Sequence, residues 1–336
     1  MTYNIDQLVR HHPRDFADQQ YVYPVISRRS RGISVGVNLS PTGLCNFRCV
    51  YCQVDGELRL LKELQGNAEV SIRKSEPALD FFSLPGNMLP EYSDDVIKQC
   101  RVRFTGPNLT HTIDLDQFES ELRHTLSLAM SGELFKTGTF AKTPPVFRRV
   151  NDIAFSGNGE PTLSPQFPEA VRIAIKIRNE LQAFDVKPIV ITNATMLQRP
   201  GVREAIDLVF ENDGKIWAKL DAGTQAYYEL VDRSRVPFET IIANIIGAAK
   251  RHPITIQTLI LKMHDEPMPE PELQAYIDRL NDIRQQGGQI KLVQLYTSVR
   301  GTAEPWVSPL DNTALDAIAN RIRNETNAHV DTFYGG

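Results

Sequence analysis

Residues 33–52 read ISVGVNLSPTGLCNFRCVYC. The first seven, Ile33 to Leu39, are mostly β-branched and apolar, which predicts a strand. Pro41 and Gly43 then break the run, and three cysteines, Cys45, Cys49 and Cys52, follow in the loop beyond it. A strand that empties into a short cysteine loop sets the frame for the rest of the chain. Five further runs of the same kind follow: Val150 to Ser156 (VNDIAFS), Pro188 to Thr192 (PIVIT), Lys215 to Asp221 (KIWAKLD), Ile254 to Leu261 (ITIQTLIL) and Ile290 to Thr297 (IKLVQLYT). Most read as near-continuous hydrophobic runs, the pattern of parallel strands covered on both faces.

Helical patterns fill the gaps. Pro165 to Phe184, Pro200 to Phe210, Pro237 to Lys250, Pro269 to Arg284 and Pro309 to Arg323 each open on proline, where a missing N–H is harmless, and the Gly287-Gly288 pair stops the fourth. Six strands alternating with helices predict an α/β fold with a parallel sheet. The pattern alone does not separate an open sheet from part of a barrel. In either architecture, chemistry belongs at the C-terminal ends of the strands. One interval breaks the rhythm: about 110 residues separate the first two strands, far more than a crossover needs. The insertion, 57–149, contains a helical pattern from Asp114 to Met130 and a Pro/Gly-rich piece near Leu84 to Pro90. A hairpin is expected with Arg101 to Thr105 and Leu109 to Ile113 flanking Gly106-Pro107-Asn108. It holds 12 basic and 13 acidic residues, so it is no electrostatic arm.

The 336 residues are 41% hydrophobic and 23% charged, ordinary usage for a globular chain. Lys and Arg number 37 against 41 Asp and Glu, and a net charge of −4 argues against a dedicated polybasic nucleic-acid or membrane binder. The N-terminal stretch MTYNIDQLVRHHPRDF has no apolar core of the secretory type. No apolar run reaches the ~18 residues a membrane helix needs. The expected compartment is the cytoplasm, where clustered cysteines bind metal more often than they pair.

Three thiolates in one loop can converge on one metal centre. Structural zinc wants four ligands, and no fourth Cys or His lies near; Cys100, inside the insertion, is distant and has no assigned role. A zinc-stabilised binding or regulatory protein is therefore the competing reading. An iron–sulfur cube held by three cysteines leaves one iron without a protein ligand, open to bind and activate something else.

The spacing Cys45-x3-Cys49-x2-Cys52, with Tyr51 before the last cysteine, resembles the signature of the radical S-adenosylmethionine (SAM) superfamily. After the second strand, Gly157-Asn158-Gly159-Glu160-Pro161 resembles that family's Gly-Gly-Glu-Pro motif. The resemblance implies a partial (β/α)6 barrel and a radical SAM oxidoreductase-like enzyme with two cofactors, a [4Fe–4S] cluster on the three cysteines and SAM on the open iron. It implies reductive cleavage of SAM to a 5′-deoxyadenosyl radical that takes hydrogen from substrate, with a ferredoxin or flavodoxin as reductant. It also implies that Tyr51 lies beside the adenine, and that Gly157, Asn158, Gly159, Glu160 and Pro161 receive the SAM ammonium. Asn193, Lys219 and Asp221, at later strand ends, are implied as ribose and carboxylate contacts; their bland readings are a cap and a local ion pair. Gln257 and Thr258 interrupt an apolar run, so one of them should face the interior, and Gln257 is the one counted with the cofactor-binding residues. Residues 1–31 are then an N-terminal extension and 32–336 the barrel domain with its insertion.

The wording VNLSPTGLCNFRCVYCQV, FSGNGEPTL and VQLYTSVRG is most similar to the subgroup containing the tRNA wyosine-synthesis enzymes. That makes a tRNA-base-modifying enzyme the alternative. Archaeal members bind a second cluster through three cysteines upstream of the main motif, and here no cysteine precedes Cys45. The substrate (small molecule, peptide or tRNA) and the residue that exchanges hydrogen with it are not assigned. Arg300 is a candidate anchor for an anionic substrate. Arg28, Arg29 and Arg31 read as a solvated connector, and His11-His12 as a solvated pair.

Overall fold

The computed structural model describes residues 16–41, 43, 45–54, 112–136 and 138–335. Its framework is one eight-stranded sheet. The strands are β1 (Val22–Ser27), β2 (Gly32–Asn38), β3 (Val150–Ser156), β4 (Lys187–Thr192), β5 (Lys215–Lys219), β6 (Ile254–Leu259), β8 (Ile290–Tyr296) and β10 (Val330–Phe333), hydrogen-bonded in that order. All neighbours are parallel except β1, which pairs antiparallel with β2. β7 (Leu261–Met263) and β9 (Val307–Pro309) form a separate antiparallel ribbon. The helices are α1 (Leu115–Ser131), α2 (Phe167–Glu180), α3 (Pro200–Glu211), α4 (Gln225–Val231), α5 (Phe238–Arg251), α6 (Glu270–Gln285) and α7 (Asn312–Thr326). None among the described residues is long and apolar enough to cross a membrane.

The six expected strands are the six consecutive central ones, and five expected helices lie between or after them. Elements not anticipated include the edge strands β1 and β10, the ribbon strand β9 and the short helix α4. The run from Ile254 also divides, β6 ending at Leu259 and β7 starting at Leu261. The expected hairpin around Gly106, the stretch Leu84 to Pro90, His11, His12 and Cys100 lie outside the described residues.

The strand faces alternate, where near-continuous hydrophobicity was expected. On the helix-facing side, Ile33, Val35, Val37, Ile153, Phe155, Val190, Ile216, Ile256, Val293 and Leu295 join the main core, all completely buried. Each such burial contributes roughly 1.5–3 kcal/mol. The opposite face carries Ser34, Asn38, Asp152, Ser156, Trp217, Lys219, Gln257, Gln294 and Tyr296, brought into line by the register pairs. A β-strand's period of two puts stability on one face and polar groups on the other.

The sheet curls about that polar face into a half-barrel. The β1–β2 turn shows the curvature directly. Arg28 Nη1 donates to the Tyr334 carbonyl at 2.5 Å, just past the end of β10, so the two edges of the sheet come back toward each other. Helix α1 starts at Asp114, whose carboxylate accepts from the Asp116 and Gln117 amides, and stops at Gly132 with φ +82°. It is the helix expected within 57–149, and it packs on the sheet. Its buried Glu121 accepts three backbone amides, from Gln20 (3.0 Å), Tyr21 (2.8 Å) and Val22 (3.1 Å), fastening β1 beneath it. Residues 16–27, read as part of an extension, thus include an edge strand of the sheet.

Candidate functional site

The cysteine loop sits where β2 ends and is strapped down from below. Arg48 N donates to Asp232 O and Val50 N to Val231 O, both at 2.9 Å, while Ser234 Oγ donates to Asn46 O at 2.9 Å. Val50 is fully buried, and Phe47 packs edge-on against Tyr228 of α4, ring centroids 5.5 Å apart. The loop therefore takes its shape from the segment around α4, an element with no local signature for such a task. Cys45, Cys49 and Cys52 are all free and half-buried. Cys45 Sγ accepts from Phe47 N at 3.4 Å and from Asn193 Nδ2 at 3.9 Å. Cys49 Sγ donates to Asp232 Oδ1 at 3.5 Å. Burial pushes the Cys45 thiol up to about 12, helped by the nearby charge of Glu160. Burial also pushes Cys49 well above its ordinary value, against the pull of Lys219. For Cys45 and Cys49 the uncharged thiol is thus the stable form until a cation displaces its proton.

At the end of β3, Glu160 is buried and acts as a latch. Its Oε1 accepts from Thr162 N (3.0 Å), Thr162 Oγ1 (2.5 Å) and Thr192 Oγ1 (2.7 Å), and its Oε2 from Asn193 N (2.7 Å). Burial raises its pKa, and these donors hold it back. The latch joins the β3 and β4 ends. Pro161 opens the short 3-10 turn that Glu160 caps. Gly157 has φ +125°, and a Cβ there would stand 2.8 Å from Asn38 Oδ1, so its backbone approaches Asn38. Asn38 Oδ1 in turn accepts from Ser40 N (3.1 Å) and Asn158 N (3.2 Å), clamping the start of the cysteine loop to the glycine loop. Asn193 Nδ2 donates to Asn46 Oδ1 at 2.7 Å while its own Oδ1 accepts from Thr195, so it bridges strand end and cysteine loop.

Lys219 and Asp221 form an ion pair, and Asp232 makes it a triad at 3.0 Å from Lys219. Tyr51 donates its hydroxyl to Asp221, and the Lys219 ammonium lies 4.3 Å from the Tyr51 ring centroid. Asp221 Oδ1 also accepts from Leu259 N at 2.8 Å. Burial alone would lower the Lys219 pKa; the charges of Asp221 and Asp232 outweigh it and hold the ammonium well above its usual range. Burial raises Asp232. Of the pair on the fifth predicted strand, Gln257 faces the hollow and donates to Gln294 at 3.1 Å, whereas Thr258 turns outward to Tyr276 at 2.6 Å. Arg300 Nη1 instead meets Gln53 Oε1 at 3.0 Å.

The structure thus gathers Cys45, Cys49, Tyr51, Asn158, Glu160, Asn193, Lys219 and Asp221 into one connected network on the strand-end rim. Asp232, Asn38 and Asn46 complete it, while Gln294 pairs with Gln257 in the hollow; sequence reasoning singled out none of these four. Only Gln294 left a signal, a polar residue amid the aliphatic run LVQLY that repeats the placement of Gln257 in IQTL. The donor set suits an iron–sulfur cluster: three thiols, with mutual electrostatic influence, on one strapped loop. A buried amide, Asn46 Nδ2, has no partner among the described residues and lies beside Cys45 in sequence. Among the described residues no three His, Cys, Asp or Glu side chains are disposed to hold a single ion.

No protein-family model matches the chain, and no curated protein matches it. Among solved structures, one of TYW1 with a lysine–pyruvate adduct bound aligns over 96% of this chain and 81% of its own, at 12% identity and a TM-score of 0.45. One of archaeal TYW1 aligns over 88% of this chain and 73% of its own, at 14% identity and a TM-score of 0.40. At such identities the site rests on its own geometry.

Proposed function

We propose that the protein is a radical SAM enzyme in which Cys45, Cys49 and Cys52 hold a [4Fe–4S] cluster and the neighbouring strand ends bind SAM. The observation that supports this most is the coincidence of three free thiols on one rim with the Glu160 latch and the Tyr51–Lys219–Asp221 group. When bound, the cluster and SAM supply a one-electron cleavage that yields a carbon radical. The protein's residues position and enclose. Asn193 and Asn38 fix the loop relative to β3 and β4. Lys219, neutralised by two carboxylates, stiffens the wall under Tyr51. Reduction falls to a small ferredoxin or flavodoxin.

The test is anaerobic purification followed by iron and sulfide analysis. About four irons per chain are expected, lost when any of the three cysteines becomes alanine. Dithionite with SAM should then give 5′-deoxyadenosine. Colourless protein carrying one zinc, or cluster-replete protein that leaves SAM intact, would overturn the reading.

A further inference from the structure

The β1–β2 turn carries Arg29 to a place that its basic run did not suggest. Its guanidinium carbon lies 5.5 Å from the Trp217 ring centroid on β5 and 5.2 Å from that of Tyr296 on β8. Those strands are not neighbours, since β6 runs between them. One side chain from the far edge of the sheet therefore spans the hollow and is held between two aromatic rings. Among the described residues Arg29 donates no hydrogen bond and has no ion pair. Arg29 as a whole is half-buried. The turn itself is fixed: Ser30 N donates to Ser27 Oγ at 3.1 Å, Asn151 to the Ser30 carbonyl, and Arg28 to Tyr334 O.

A guanidinium braced by ring faces presents its planar fork of donors edge-on, the geometry that matches a carboxylate. Lys219, the other cation near Tyr296, has its charge taken up by Asp221 and Asp232. Arg29 carries one charge, and the buried carboxyl of Asp152 on the same face lies within its electrostatic reach, so the site suits one monovalent planar anion rather than a phosphate dianion. The wall beside it continues through Gln294 and Gln257 to Lys219 and the cysteine loop.

We infer that Arg29, framed by Trp217 and Tyr296, is the anchor for a carboxylate group of the substrate, which makes the substrate a small carboxylic acid. The word substrate rests on the enzyme reading above; the carboxylate site itself does not. The test therefore uses protein without cluster or SAM. Trp306→Phe leaves Trp217 as the sole tryptophan, and its fluorescence is titrated with acetate and benzoate, then with inorganic phosphate, at constant ionic strength. Saturable quenching by the carboxylates is expected. It should weaken at least tenfold in Arg29→Gln and partially in Arg29→Lys, which keeps the charge but loses the fork. Circular dichroism of each variant verifies the fold. Equal carboxylate binding in folded Arg29→Gln, or phosphate binding tighter than either carboxylate, would overturn the inference. Iron content decides the cluster reading separately, so the two failures are distinguishable.

Discussion

Asp152 sits on the hollow side of β3, 2% exposed, and accepts a hydrogen bond from Ser34 Oγ. Burial pushes its carboxyl from an ordinary 3.8 up to about 6, opposed by Ser34, Ser30 and the charge of Arg29. The folded protein therefore keeps a proton that the unfolded chain has lost. Stability falls as pH rises from about 4 through about 6, and the full loss persists above that. At about 1.4 kcal/mol per pH unit, the ionised carboxylate destabilises the fold by about 3 kcal/mol at pH 8 and by roughly half of that at pH 5. Asp152→Asn keeps an oxygen for Ser34 and carries no charge. Its stability relative to the parent should thus rise by about 1.4 kcal/mol between pH 5 and pH 8. Whatever constant offset the amide introduces drops out of that difference. Urea unfolding followed by tryptophan fluorescence at pH 5, 6, 7 and 8 measures it. A gap that stays flat over this range would refute the reasoning, and so would one that shrinks as pH rises.

Three other perturbations probe the scaffold of the site. Gly157→Ala places a Cβ 2.8 Å from Asn38 Oδ1 at φ +125°, so thermal unfolding should register a loss of about 1–3 kcal/mol. Lys219→Met leaves Asp221 and Asp232 buried together without a cation; a loss of about 3–5 kcal/mol at pH 8 is expected. Because burial favours the protonated form of Asp232, and without the lysine nothing cationic opposes it, that loss should diminish in urea titrations at pH 5. Glu121→Ala removes the acceptor of three backbone amides. Hydrogen exchange at Gln20, Tyr21 and Val22 should accelerate at least tenfold, about 1.4 kcal/mol, while amides of β5 keep their protection.

The fold was legible because β-branched runs and proline-initiated helices are local signals. Val150 to Ser156 and Pro200 to Phe210 announce themselves without reference to anything distant. Edge strand β10 did not, since four residues with a half-exposed pattern carry little hydrophobic signal. The cysteines and the Gly-Asn-Gly-Glu-Pro loop were legible as motifs. Asp232 and Asn38 were not, because each acts through partners remote in sequence: Asp232 meets Lys219 and Cys49, and Asn38 receives Asn158 N. Arg29 was read as a connector because neighbouring arginines usually face water. Only the curl of the sheet brings Trp217 and Tyr296 to it, and no periodicity records a curl.

The two-sidedness of the strands has a consequence for how such a site can change. In β5, Ile216 and Ala218 belong to the helix layer, whereas Trp217 and Lys219 belong to the hollow. Substitutions at the second set rewrite chemistry with the hydrophobic core untouched, so specificity can drift while the architecture is inherited. A single-residue insertion or deletion within a strand has the opposite character: it exchanges the two sets at one stroke, sending a lysine into the core and an isoleucine into the hollow. The strands must therefore be copied residue for residue.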